Sequence, residues 1–197
     1  MIIQPIVEGH GECSAVPVLI RRICYELGHC VGAQIASPIR VPRSKMVMEA
    51  HFKHYLQIAG SQPGQKMILL FMDADDDCTK EIAERTRPWI EEEATCGRCE
   101  LIVIPKEYEC WFIAVLESLR GVRGISNEAR SHNCPERVRN PKAILTHWME
   151  GTTAYNECAD QAALTQMMDL NALRDRCRSF QRLIAKIDSF YLSATSA

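Results

Sequence analysis

Three short apolar runs in this sequence each give way to acidic side chains. "MIIQPIV" is followed by Glu8, "MILLFM" by Asp73 and Asp75, and "CELIVIPK" by Glu107 and Glu109. A set of carboxylate oxygens is hard-cation chemistry, and it suits Mg²⁺ or Mn²⁺ better than Zn²⁺, with waters completing an octahedron. Carboxylates brought close together repel one another and raise each other's pKa unless a cation is present. Asp73 directly ends a buried apolar strand, where an unpaired carboxylate is costly. Glu8 has the same placement, and Gly9 and Gly11 let the backbone turn sharply beneath it.

A plainer role competes for part of this set. Asp75, Asp76 and Asp77 stand where an N-cap and first helical turn belong, and acidic groups there favour the helix dipole. For Asp76 and Asp77 that helix-starting role is the preferred reading, with Asp77 kept as a secondary site candidate. Glu12 reads as a first-turn helix residue and is also secondary, as is Glu107.

The elements that must position these groups alternate along the chain. Strands are expected at 1–7, 67–72 and 99–106, with a weaker, bent edge strand within 30–41. Helices are expected at 13–28, 44–60, 78–94 with an interruption near Pro88, and 108–121. This alternation implies right-handed crossovers and an α/β fold with a mostly parallel four-stranded sheet flanked by helices. Ligands collect outside the carboxyl ends of such strands. That rule brings Glu8, Asp73, Asp75, Glu107 and Glu109 to one edge. Residues 122–141 form a loop, and two or three helices follow. The expected organisation is an α/β domain over 1–121 and a helical C-terminal extension over 122–197 packed on the same domain.

Composition narrows the class. The chain has 197 residues, 47% hydrophobic and 24% charged, as expected of one globular domain. Its N-terminus lacks a basic segment, and no stretch approaches 18 uncharged apolar residues, so a cytoplasmic protein without membrane association is expected. The ten cysteines are irregularly spaced and read as reduced thiols. A net charge of -2 lacks the overall basic footprint of a free-standing nucleic-acid binder. The balance is uneven, however: residues 73–100 are strongly acidic, whereas 120–142 carry Arg120, Arg123, Arg130, Arg137, Arg139 and Lys142.

"VEGHGE", "FMDADDD" and "KEYECWFIA", in this order, resemble the motifs of the Toprim fold of topoisomerases, primases and overcoming-lysogenization-defect nucleases. The chain is most similar to the bacterial domain-of-unknown-function family 4276, through these motifs and the downstream "NPKAIL", a tyrosine followed by "DQ", and "SFQRL". The resemblance implies a Toprim-like, Rossmann-like fold and Mg²⁺- or Mn²⁺-dependent phosphodiester hydrolysis. It assigns Glu8, Asp73, Asp75 and Glu109 as metal-holding and catalytic residues. Lys142 becomes a phosphate contact, and the basic segment that includes Arg139 and Arg123 would hold nucleic acid, DNA or RNA. Relatives of this type imply a separate ATPase partner in phage or foreign-DNA defence, and the sequence has no phosphate-binding loop of its own. The reading leaves homo-oligomers open.

Other readings compete. "LLFMDADDDC" also resembles the opening of haloacid-dehalogenase phosphatases, with Asp73 as nucleophile, but Asp76, Asp77 and Cys78 depart from that pattern. A non-catalytic Toprim scaffold serving an ATPase complex is the main alternative. Cys96 and Cys99 form a lone C-x-x-C best read as ordinary thiols. His10 and His132 read as solvated, Trp111 and Phe112 as core, and the arginines of "RDRCRSFQR" as a solvated helix face.

Overall fold

The computed structural model describes residues 1–61, 64, 66–93, 97–151 and 154–195, with residues 194 and 195 described by backbone alone. The sheet is built on β1 (Ile2–Val7), β4 (Lys66–Asp73) and β5 (Arg98–Ile104). Two short strands, β2 (Gln34–Ile35) and β3 (Ile39–Arg40), both pair with β1. All pairings are parallel and the order is β2-β1-β4-β5. β4 is covered on both faces, which is why its sequence is a continuous apolar run instead of an alternating one.

Helices α1 (Glu12–Glu26), α2 (Arg43–Met46), α3 (Glu49–Gly60) and α4 (Thr79–Glu92) connect these strands, and α5 (Cys110–Ala114) follows β5. The C-terminal part folds as α6 (Pro141–Trp148), α7 (Glu157–Met167), α8 (Leu170–Arg176) and α9 (Arg178–Thr195). Among the described residues the extension thus holds four α-helices where two or three helices are expected. Three of them begin at side-chain caps: Asn140, Asn156 and Asp169 each accept backbone N–H groups of the first turn of α6, α7 and α8.

Several expected boundaries shift for local reasons. The helix expected at 44–60 breaks at Val47 and Met48, and Met48 takes an extended conformation. Pro88 stays inside α4 without interrupting it, because it is exposed and the carbonyl left without a donor can meet water. The helix expected at 108–121 is α5 followed by a 3-10 turn over Leu116–Leu119, split at Val115 with its non-helical backbone. α4 starts at Thr79 with Cys78 at its cap, so Asp76 and Asp77 precede the helix instead of starting it.

The two sheet faces bury separate apolar clusters. Phe52, Leu56, Ile68, Leu70, Met72 and Trp89 gather under α3 and α4, with the Phe52 and Trp89 rings 5.3 Å apart edge to face. On the other face, Ile3, Leu69 and Phe71 join one cluster with Leu164, Leu173, Phe180 and Ile187 from the extension. Trp111 is buried in that cluster, and its indole N–H donates to Ser179 Oγ at 2.8 Å, satisfying the one polar atom the ring carries inside.

Two further expectations meet the structure here. Cys24 and Cys30 are joined as a disulfide across the turn that ends α1, which corrects the reading of every cysteine as a free thiol: their Cα atoms are 4.4 Å apart, within bridging distance. Cys96 of the C-x-x-C pair lies outside the described residues. Among those described, no helix is long and apolar enough to cross a membrane.

Gly11 is a point of close approach between the two parts of the chain. A Cβ built there would collide with Gln161 Oε1 and would stand 2.6 Å from the Glu157 carbonyl oxygen of α7. Gly11→Ala should therefore push α7 away from α1 and destabilise the fold by about 1–3 kcal/mol. Urea denaturation checks this, and an unchanged midpoint would mean that α7 is loosely seated.

Candidate functional site

The strand register gathers the carboxylates before any side chain is considered. Ile6 pairs with Leu70 and Asp73 with Ile104, so the carboxyl ends of β1, β4 and β5 finish side by side. The backbone then closes the edge: Ala74 N–H donates to the Ile104 carbonyl at 2.8 Å and Asp75 N–H to the Lys106 carbonyl at 2.9 Å. Both partners of this second bond are non-glycine residues with left-handed backbone, Asp75 at φ 49° and Lys106 at φ 66°. Such conformations are uncommon, and aspartate tolerates them better than most residues.

Asp73 sits at the centre. Its Oδ1 is buried and has no hydrogen-bond partner among the described residues. Burial drives its pKa well above the ordinary aspartate value, and the charges of Glu12, Glu109, Glu8 and Asp75 add to that effect. These four, drawn from three strand ends and the start of α1, thus act on one aspartate.

Glu12 is more deeply placed than a first-turn helix residue should be. Only 3% of its surface is exposed. Its Oε2 accepts the backbone N–H groups of Glu8 and Gly9, both at 2.8 Å, while Oε1 is buried without a hydrogen-bond partner among the described residues. Burial raises its pKa to about 7 against the lowering effect of those two bonds. Glu8 is raised too, by burial first, with Arg43 opposing.

Glu109 is held from the extension. It is 1% exposed and accepts a hydrogen bond from the Tyr155 hydroxyl at 2.7 Å and one from Gln161 Nε2 at 3.3 Å. Burial pushes its pKa to about 7, with Lys142 pulling the other way. Lys142 lies 3.2 Å from Glu107 and also pairs with Glu157, and Glu107 Oε2 is buried with no hydrogen-bond partner among the described residues. Burial works against the Lys142 ammonium, but Glu109, Glu157 and Glu107 outweigh it and hold its pKa above the usual lysine value.

Sequence reasoning missed the main cation of the site. Arg43, at the start of α2, donates to the Asp73 carbonyl and lies 3.3 Å from Asp75 Oδ2, 2.6 Å from Asp77 Oδ2 and 3.7 Å from Glu8 Oε2. The strand-end rule would have found it, since β3 pairs beside Val7 and leads through Val41 and Pro42 straight to Arg43. It went unnoticed because the edge strand expected within 30–41 was too weak to fix where it ends: β3 is only two residues long. Tyr155 and Gln161 belong to the tyrosine followed by "DQ" that carries part of the family resemblance, but that resemblance gave them no role, and their place in the site, like that of Glu157, is purely tertiary.

The remaining expected residues divide. Asp76 holds Lys106 and Arg139, each at 3.0 Å, which lowers its pKa and places Arg139 at the rim. Arg123 is directed elsewhere: it pairs with the buried Asp160 of α7 at 2.8 Å, and no contact among the described residues brings it to the carboxylate edge.

Four buried carboxylate oxygens without a hydrogen-bond partner among the described residues, on Glu8, Glu12, Asp73 and Glu107, are the chemistry a divalent cation would complete. Among the described residues, however, no three carboxylate, histidine or cysteine groups stand in an arrangement that could hold a metal ion as they are. The Arg43 guanidinium instead spreads over three of the carboxylates.

A family model described as Domain of unknown function (DUF4276) matches residues 7–188. The chain belongs to that family. The DUF4276 match runs through both parts of the chain, including Glu8 near its start and the Tyr155 and Gln161 contacts to Glu109. No curated protein and no solved structure shows significant similarity to this DUF4276 chain.

The raised carboxyls set a pH dependence. Glu12 and Glu109 keep their protons in the folded chain up to about 7, against 4.5 for an ordinary glutamate. Between these values the native state binds more protons than the unfolded state, so stability falls as pH rises. Without divalent cation, the unfolding free energy should decline between about pH 4.5 and 7 by on the order of a few kcal/mol. The slope should flatten in Glu12→Gln and Glu109→Gln. Denaturant titrations across that range check it, and a rise in stability toward pH 7 would contradict the protonation reading.

Proposed function

We propose that this chain is a Toprim-type nuclease or nuclease subunit, hydrolysing nucleic-acid phosphodiester bonds with Mg²⁺ or Mn²⁺. The observation that carries the reading is the convergence of Glu8, Glu12, Asp73, Asp75 and Glu109 on one sheet edge, where four buried carboxylate oxygens have no hydrogen-bond partner among the described residues. Glu8, Asp73 and Asp75 would hold the cation, with Glu12 and Glu107 behind them. When bound, such a cation lowers the pKa of an attacking water and stabilises the departing oxygen.

The chain's own groups supply the rest. Glu109, with a pKa near 7 and an orientation fixed by Tyr155, can hold or release a proton near neutral pH. Lys106, Arg139 and Lys142 ring the carboxylates and would take phosphate oxygens, trading Asp76, Glu107 and Glu157 for the substrate. Arg43 must loosen its hold on Asp75 and Glu8 before they can serve a cation. A cytoplasmic role in defence against phage or foreign DNA, with a separate ATPase as motor, extends this reading.

One observation favours a second reading, that of a non-catalytic scaffold: among the described residues the carboxylates form no ready cation cage, and Arg43 already neutralises part of their charge. Two experiments separate the readings. Asp73→Ala and Glu8→Gln should abolish Mn²⁺-dependent cleavage of DNA or RNA while leaving thermal stability without metal unchanged or higher. Full cleavage by both variants would remove the mechanism. Arg43→Gln should bind Mn²⁺ at least several-fold more tightly, read by calorimetry at pH 7.5. The absence of a saturable site in both wild type and Arg43→Gln would support the scaffold.

A further inference from the structure

β5 is the open edge of the sheet, and its backbone phase is fixed by the bond from Ala74 N–H to the Ile104 carbonyl. Backbone groups alternate direction along a strand, so Ile104 and Ile102 face β4. Leu101 and Val103 then turn their N–H and C=O groups outward. No hydrogen bond occupies these four groups among the described residues.

Such edges are usually covered or blunted. Here α4 and α9 flank the strand but leave it open. One hollow of about 250 Å³ is lined by Thr79, Leu101, Val103 and Arg182, and a second of about 360 Å³ by Thr86, Arg87, Glu100 and Leu101. Both also include Ala83 and Lys186, so they form one groove along β5.

Charge selects what could lie there. Glu100 is neutralised from both sides by Arg98 and Lys186. Arg87 on the α4 wall and Arg182 on the α9 wall are exposed and have no acidic partner among the described residues, and Glu91 is the remaining carboxylate of the lining. A second copy pairing edge to edge through β5 would bring these unpaired arginines toward their own equivalents. The flanking helices would also keep another folded sheet from the strand.

We propose that the β5 groove takes an extended, acidic segment of a partner protein as an added strand. Its backbone would pair with Leu101 and Val103, and its carboxylates would meet Arg87 and Arg182. The groove runs toward the carboxyl end of β5, so the added segment would end beside Glu107 and the carboxylate edge.

The test uses the full chain and a fluorescein-labelled ten-residue peptide of alternating valine and glutamate, with a valine–lysine peptide as control. Fluorescence anisotropy should show saturable binding of the acidic peptide, at least ten-fold tighter than the control. Hydrogen exchange should slow at the Leu101 and Val103 amides when the acidic peptide is bound. Leu101→Pro removes one outward donor and leaves the ladder to β4 untouched, so it should abolish binding. The double variant Arg87→Glu, Arg182→Glu leaves the backbone unchanged and should reverse the preference between the peptides. Absence of saturable binding, or binding without protection of the two amides, would overturn the proposal. So would a dimer in sedimentation that Leu101→Pro dissolves, which would give the edge to a second copy, or a single-stranded oligonucleotide that displaces the acidic peptide through Arg87 and Arg182.

Discussion

Carboxylates repel, and a parallel sheet leaves this chain no means of keeping them apart. β1, β4 and β5 run the same way and end together, so Glu8, Asp73 and Glu107 arrive at one edge through topology alone. Other features then act as responses to that crowding. Arg43 spreads its charge over Asp75, Asp77 and Glu8, Lys142 stands between Glu107 and Glu157, and Lys106 and Arg139 hold Asp76. Where burial outweighs the opposing bonds and charges, at Glu12 and Glu109, it leaves a carboxyl that favours its proton. Neutralisation by cation and neutralisation by proton thus meet within a single site.

Much of this is legible in the sequence. Short continuous apolar runs bounded by turn residues fit buried parallel strands, and their ends predict where polar chemistry collects. Glu8, Asp73 and Asp75 follow from that rule with no knowledge of packing. The rule weakens with the strand that carries it. β2 and β3 fall within the bent edge strand expected over 30–41, but each pairs through only two residues, so the pattern fixed no strand end there and Arg43 was not found.

Other errors share a different cause. Asp76 and Asp77 have the composition of a helix start, yet they stand in the turn before Cys78 and Thr79, which Asp75 anchors by its bond across to Lys106. Local propensity was overridden by a bond between segments that are distant in sequence. The same holds for Arg123, whose position in a basic segment suggested a phosphate contact but whose partner is the buried Asp160. Charge counting along a sequence identifies a surplus without saying which side chain it neutralises.

Glu109 bears on how this protein can be divided. It projects from the start of α5, but its hydroxyl and amide donors, Tyr155 and Gln161, come from the C-terminal part, and α7 rests on Gly11 beside the first carboxylates. The chain is therefore not modular at its most chemical point. A truncation or domain exchange made near residue 121 would cut through the site, and any substitute C-terminal segment would have to bring its own tyrosine and glutamine to the same carboxyl.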